Sequence, residues 1–359
     1  MKVCDISNLS GGEILSRSIM TLDYQVLLAE GTILRKEYIE KLIELGIREV
    51  YIREEINTQE VVLLKDEIEN NFKEKVKTII EKHTYTHSKE LVELSKTADN
   101  IIKNLLEEEE VIEKIYDIKE RIADIYEHSI TICSLAILTS LKMKIPQDRI
   151  HDIGVACLLH DLGLRYLTID YMNKKLEQLS ELELSEYKKH PVYGYSALKN
   201  EPWISELGKN IILYHHERLD GSGYPLKATD IPMEARIVNV CDAFDEMICG
   251  IGCERIKVHE AIDHLRKNKD IMYDGKIIDT FLEFTAVYPA GSYVLTNEGE
   301  IGIVLRQNKN MPDKPFIKII YDNKGETVLQ DIVKDLSVYD NIYIERVMEN
   351  NRKEEQGND

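Results

Sequence analysis

The sequence predicts a mainly α protein: a helical bundle flanked by a small α+β N-terminal module and a small antiparallel β C-terminal module. Three observations predict it. Apolar and small residues recur at helical spacing through residues 121–287. β-rich runs punctuated by turn-formers fill residues 288–347. A mixed pattern of short strands and one helix fills residues 1–55.

In the first module, Glu13–Ile19 and Gln25–Ile33 read as strands, Lys36–Leu45 as a helix that Gly46 stops, and Glu49–Ile52 as a strand. Residues 56–120 read as a charged helical linker. Between 60 and 120 there is no glycine or proline, and Val61, Leu64, Ile68, Phe72, Val76 and Ile79–Ile80 recur at helical spacing. Glu107–Glu110 is an acidic run that reads as a solvated face rather than a calcium site. This long charged helix is the segment expected to carry dimer contacts, if the chain is a homodimer.

The bundle begins with the stripe Ile122, Ile125, Ser129, Cys133, Ala136–Ile137 and Ser140–Leu141. Pro146 and Ile150–Leu159 start the next helix. Further helices are expected at Ser180–His190, Gly194–Asn200, Ile204–Glu217, Glu234–Cys249, Val258–Lys267 and Lys276–Val287, separated by turns such as Asn200–Pro202 and Asp220–Pro225. The last module should hold strands at Tyr293–Thr296, Ile301–Gln307, Phe316–Tyr321 and Thr327–Asp331. The polar tail, 348–359, is expected to be disordered.

The 359 residues contain 46 Lys+Arg and 65 Asp+Glu, a net charge of −19. That balance argues against a DNA, RNA or anionic-membrane partner, which basic patches attract. No secretory h-region and no transmembrane run is present. The six cysteines are scattered and form no CxxC pair, which suits free thiols in the cytoplasm.

Six of the ten histidines lie between 128 and 216. The candidates run Asp124 and His128, then His160–Asp161, His190, His215–His216 and Asp242, with successive clusters 32, 30, 25 and 26 residues apart. Each interval is about one helix plus a connection, so a bundle can aim one donor group per helix at a shared centre. Asp124 and His128 are at i and i+4, on one helix face. Imidazole plus carboxylate without cysteine suits Fe, Mn or Zn. His160–Asp161 ends the apolar run Val155–Leu159, where an unpaired polar group is costly and a metal removes the cost. His83, His87, His151, His259 and His264 read as ordinary core or surface histidines.

His160-Asp161-Leu162-Gly163 resembles the HD phosphohydrolase signature, and the string from His215-His216-Glu217 to Gly223-Tyr224-Pro225 resembles the HD-GYP signature. Tyr126-Glu127-His128, His190-Pro191 with Gly194, and Ala235–Val238 before Cys241–Asp245 fall in the same order as in that family. The resemblance covers about residues 121–285. It implies an HD-type bundle with two or three divalent ions, Fe or Mn, held by His128, His160, Asp161, His190, His215, His216 and Asp242. Asp161 would be the bridging carboxylate, with the direct catalytic role. Asp124 falls where some members have a glutamate that helps to hold a third ion.

The resemblance further implies a phosphodiesterase acting on a cyclic dinucleotide, chiefly cyclic di-GMP, and giving linear dinucleotide, GMP or both. Two cations make a bridging water acidic and offset charge on the phosphate oxygens. A cationic centre also lets an acidic protein bind a small anion.

The chain departs from the family at its substrate contacts. Gly163-Leu164 stands where the family has Gly-Lys; Arg165 is adjacent but on a helix points ~100° away from that position. Cys249–Arg255 replaces an arginine-rich segment, with Arg255 the one candidate to stand in. Tyr273-Asp274-Gly275 stands where the family has Phe-Asp-Pro. In the loop, Gly221 and Gly223 are expected to supply positive-φ turns and Pro225 to fix the exit, with Tyr224 lining the cleft. These departures keep open a second reading: a catalytically weak module acting as a metal-containing binding or protein-interaction regulator.

Overall fold

Leu64, Phe72, Val76, Ile79 and Ile80 of the apolar stripe are buried, with Val61 and Ile68 packed against them, and the supposed linker becomes part of the helical core. The computed structural model describes residues 2–9, 11–20, 26–29, 31–52, 58–86, 89–108, 110–171, 174–309 and 311–348. His87 and the 349–359 tail lie outside them. The chain divides into two units. One comprises residues 60–292 with 306–315; the other comprises 1–59, 293–305 and 316 onward.

In the smaller unit, β1 (Lys2–Asp5) pairs antiparallel with β4 (Glu49–Ile52), and β2 (Ile19–Met20) with β3 (Val26–Leu28). α1 (Lys36–Glu44) lies between them in sequence, and Gly46 follows it at φ +77°. Leu15, Leu34, Ile39, Leu42, Val50 and Ile52 close a small core. Strand β1 carried no readable alternation. The expected Glu13–Ile19 strand is reduced to β2 and single bridges from Ile14 and Leu15.

A five-stranded sheet follows, in the order β8-β7-β6-β5-β9: β5 (Tyr293–Thr296), β6 (Ile301–Asn308), β7 (Met311–Tyr321), β8 (Val333–Asp335) and β9 (Ile344–Val347). The expected Thr327–Asp331 strand is corrected. Only Thr327 bridges to Tyr321, and the ladder to β7 is made by β8.

The helical unit contains α2 (Asp66–Thr86), α3 (Glu93–Glu107), α4 (Ile125–Lys142), α5 (Gln147–Leu159), α6 (Glu181–Tyr187), α7 (His190–Leu198), α8 (Glu206–Tyr214), α9 (Met233–Cys249), α10 (Val258–Lys267) and α11 (Gly275–Leu282). Leu64, Phe72, Val76 and Ile80 of the supposed linker, with Leu94, Ile101 and Leu105 of α3, join one core with α4, α5, α9 and α11. α4 is buried on nearly every side from Tyr126 to Ser140, as a helix at the centre of a bundle must be. It packs on α5, which leads to His160–Asp161, and on α9, which carries Asp242. Among the described residues, no helix is long and apolar enough to cross a membrane.

Candidate metal centre

Apart from Asp242, which lies within α9, the donor groups sit where helices start or stop, and local sequence explains those positions. α4 starts at Asp124, whose Oδ1 accepts the backbone N–H of Tyr126 and of Glu127, both at 3.0 Å. That is an N-cap, and it sets His128 on the first turn, fully buried. α5 ends at Leu159, and the chain tightens into a 3-10 helix over His160–Tyr166. Gly163 permits this turn: a Cβ there would collide with the His190 carbonyl and lie 2.8 Å from the Gly194 nitrogen. The His160–Asp161 turn and the start of α7 therefore meet backbone to backbone. Pro191 suits the first turn of α7, where its missing N–H is not needed. His215 is the C-cap of α8, so His216 leaves the helical path and adjacent histidines can face one centre.

Four imidazoles are locked in the same sense. Nδ1 of His160, His190 and His215 bonds the carbonyl three residues earlier: Cys157 at 2.8 Å, Tyr187 at 2.9 Å and Ile212 at 2.6 Å. Nδ1 of His128 bonds Oδ2 of Asp245 at 2.7 Å. With Nδ1 as donor, each Nε2 presents a lone pair to the interior, the arrangement of a metal-ligating histidine. Nε2 of His190 and of His215 are 3.1 Å apart. Nε2 of His128 and His160 and both oxygens of Asp242 are buried without a hydrogen-bond partner. Such atoms are costly in a core. Their convergence fits a cation.

Among the described residues, three donor sets have atoms mutually within 4.8 Å: Asp161 with His190, His215 and His216; His128 with His160 and Asp242; and His216 with Asp242 and Glu246. The two oxygens of Asp161 face different sets. Oδ2 is 3.3 Å from Nε2 of His160, while Oδ1 is 3.4 Å from Nε2 of His190 and 3.9 Å from that of His215.

Electrostatics separate the histidines. Burial drives His215 down to about 3, helped by His160 and His190. It drives His216 well below its ordinary value and lowers His190. Burial also works against charged His128, but the Asp242 carboxylate 3.2 Å away and hydrogen-bonded Asp245 outweigh it and lift the group to about 10. Burial opposes ionised Asp161 too, and His160, His190 and His215 hold it well below the carboxylate range nonetheless. Burial and neighbouring Asp242 push Glu246 well above that range.

The structure brings together His128, His160, Asp161, His190, His215, His216 and Asp242. Asp124 is not among them. Its cap uses Oδ1, and its Oδ2 pairs with Lys73 at 2.9 Å. Arg255 is exposed, packed by its backbone against Gly250 and not gathered with the donors. Arg165, expected to point away, lines a small cleft together with Asp161, Tyr126 and Ser129, and its buried Nε has no partner. Leu164 is buried instead, beside Leu179 and Tyr187.

The loop after His216 is a brace. Gly221 takes φ +75° as expected, but Gly223 does not. Glycine is needed at 223 because a Cβ would strike the Glu217 Cα, the His216 carbonyl and the Arg218 nitrogen. The Tyr224 N–H bonds the His216 carbonyl at 3.1 Å, and its ring stacks on His216 at 4.6 Å. The Tyr224–Pro225 bond is cis. Fully buried Glu217 accepts the N–H groups of Leu226 and Ala228 at 2.6 and 2.8 Å.

Sequence reasoning missed Asp245, Arg121 and Glu246. Arg121 donates to Asp245 at 3.1 Å and to Thr131 at 2.8 Å, so it holds the carboxylate that orients His128. The i+3 and i+4 spacing of Asp245 and Glu246 from Asp242, on one helix face, was the available signal.

An HD domain model matches residues 110–277, and a KOW domain associated with HD domains matches residues 293–356. The cyclic di-GMP phosphodiesterase PA4108 of Pseudomonas aeruginosa is 28% identical over 215 residues, covering 59% of this chain and 51% of the relative. A cyclic di-GMP phosphodiesterase of Thermotoga maritima is 28% identical over 267 residues, 70% of each chain. The chain thus spans about half the length of the Pseudomonas relative. Bd1817, a HDG"Y"P protein from Bdellovibrio bacteriovorus, shares the fold with a TM-score of 0.51 at 19% identity, over 78% of this chain and 97% of its own.

Proposed function

Since an HD domain model matches residues 110–277 of this chain, we propose that it is a metal-dependent phosphodiesterase that hydrolyses a cyclic dinucleotide, cyclic di-GMP, to linear dinucleotide, GMP or both. The observation that carries the reading is the set of four imidazoles with Nδ1 tied back and Nε2 directed inward, around the carboxylates of Asp161 and Asp242.

His190, His215, His216 and Asp161 would hold one divalent ion; His128, His160 and Asp242 would hold the other. The divided orientation of the Asp161 oxygens supports it as the bridging carboxylate. Iron or manganese suits this imidazole and carboxylate donor set. Bound ions of this kind turn water into a nucleophile near neutral pH and offset charge building on a phosphate. The chain's own residues then do the positioning. Asp245 fixes the His128 ring, the backbone carbonyls fix the other three, and Tyr224 stacked on His216 closes one side. Arg165, which lines a small cleft together with Asp161, would be the cation for a substrate phosphate oxygen. Buried free thiols at Cys133, Cys157, Cys241 and Cys249 suit a reducing cytoplasm.

A catalytically weak, metal-containing regulator is favoured by buried Leu164 and outlying Arg255. Purified protein loaded anaerobically with Mn²⁺ or Fe²⁺ and given cyclic di-GMP, with products separated by chromatography, decides between them. Linear dinucleotide, GMP or both are expected. Bound metal without turnover of any cyclic dinucleotide would select the regulator.

A further inference from the structure

We propose that Lys188 holds the second phosphodiester of a cyclic dinucleotide, the one that stays intact while the other is cut. This rests on the proposed function above and adds to it a residue that sets the substrate class. A cyclic dinucleotide carries two phosphate charges, and in that reading the metal centre and Arg165 serve one of them. The other calls for a cation of its own close by.

The backbone places Lys188 at the centre's edge. It lies in the turn between α6, which ends at Tyr187, and α7, which begins at His190. The same turn fixes a metal donor, since the Tyr187 carbonyl accepts from Nδ1 of His190. Nζ of Lys188 lies over the Tyr224 ring, 5.5 Å from its centroid, and that ring stacks on His216 at 4.6 Å. One aromatic ring therefore separates the ammonium from a donor of the centre. A cation over a ring face is held weakly beside an ion pair, and its three N–H donors stay free for an anion.

Lys188 is also uncommitted. Lys174 pairs with Asp170 at 3.1 Å, Lys175 with Glu254 at 3.2 Å and Lys189 with Glu186 at 2.7 Å. Lys188, among the described residues, has no ion pair and no side-chain hydrogen bond, and its one charged-group contact is the Tyr224 ring. It is half-buried in a chain where acids outnumber bases 65 to 46. Leu164, packed with Tyr187 and buried, brings no charge to this side. Arg165 shares its cleft with Asp161, so the two cations attend different neighbours of the centre and can take one phosphate each.

The test compares two substrates on the Mn²⁺-loaded protein: cyclic di-GMP, with two phosphodiesters, and bis(p-nitrophenyl) phosphate, with one. Lys188→Met keeps the length of the side chain and removes its charge. It is expected to raise KM for cyclic di-GMP about 10-fold, to affect the single phosphodiester much less, and to keep its Mn²⁺. Added NaCl should weaken the wild type more steeply than Lys188→Met, and Lys188→Arg should recover most of the loss. An unchanged KM in Lys188→Met overturns the proposal. So does an equal loss on both substrates, or a loss of Mn²⁺, since either makes Lys188 a prop for His190. A wild type that binds cyclic di-GMP without cutting it sinks the phosphodiesterase reading alone. Calorimetric Kd values then decide on Lys188: a 10-fold rise in Lys188→Met supports it and no rise overturns it. A wild type that does not bind cyclic di-GMP overturns both.

Discussion

Nε2 of His190 and Nε2 of His215 face each other at 3.1 Å while their Nδ1 atoms are both engaged by backbone carbonyls. Two lone pairs so placed repel unless a positive charge stands between them. The ion-free fold should be strained at this point. Saturating Mn²⁺ is expected to raise Tm over the EDTA-treated protein, with about 2.7 kcal/mol gained at 100 times Kd. Thermal melts with and without chelator check it, and His215→Ala should remove much of the difference.

Without metal, stability should peak near pH 6.5. His128 is lifted to about 10, so its contribution is complete below the ordinary histidine value and is lost as pH rises toward 10. His190, His215 and His216 are lowered, so they favour the fold when neutral, and that contribution is lost as pH falls from 6.5 through the lowered values. Melting temperatures of the EDTA-treated protein from pH 5 to 9.5 should fall on both sides. A monotonic profile would contradict this assignment of charges.

Asp245→Asn should weaken metal binding about 10–100-fold without removing a ligand, because the amide cannot hold the His128 ring as the carboxylate does. Arg121→Ala should act the same way more mildly, since it frees Asp245. Competition with a fluorescent chelator measures both, and Arg121→Lys should recover part of the loss.

Arg165→Ala should raise KM for the cyclic dinucleotide more than it lowers kcat, with metal content unchanged. Equal kcat and KM in variant and wild type would remove Arg165 from the substrate site.

Gly163→Ala should be destabilising by about 1–3 kcal/mol, because the added methyl meets the His190 backbone rather than a yielding side chain. Metal content should fall with it, as His190 is pushed from its partners. Gly221→Ala, strained only by its φ, should leave the metal in place.

Much of the centre was readable because its chemistry is concentrated in rare residues. Histidines spaced by about one helix each, and a His-Asp pair closing an apolar run, point together to one shared cation centre. Helices α9 and α10 begin and end within a residue of their expected limits, since apolar spacing marks them. What was hidden depends on partners far apart in sequence. Asp124 has the spacing of a ligand to His128, but Lys73, 51 positions earlier (124 − 73), turns it into a cap and ion pair. Asp245 looks like any helical aspartate until Arg121 and His128 meet it. Gly223 reads as a turn glycine, yet the reason for it is crowding against Glu217 and Arg218. Short strands such as β1 and β9 have too few residues to show alternation, and their pairing is decided by the sheet.

The donors come from five separate places along the chain: α4, the 3-10 turn, the start of α7, the end of α8, and α9. Only His160–Asp161, His215–His216 and Asp242–Glu246 are local pairs. A nascent or partly assembled chain therefore offers scattered two-point chelates, while the finished bundle offers the full set. Metal capture is in effect a final inspection of the topology: occupancy reports that every helix has arrived, and a chain that stalls with α9 undocked is passed over by the ion.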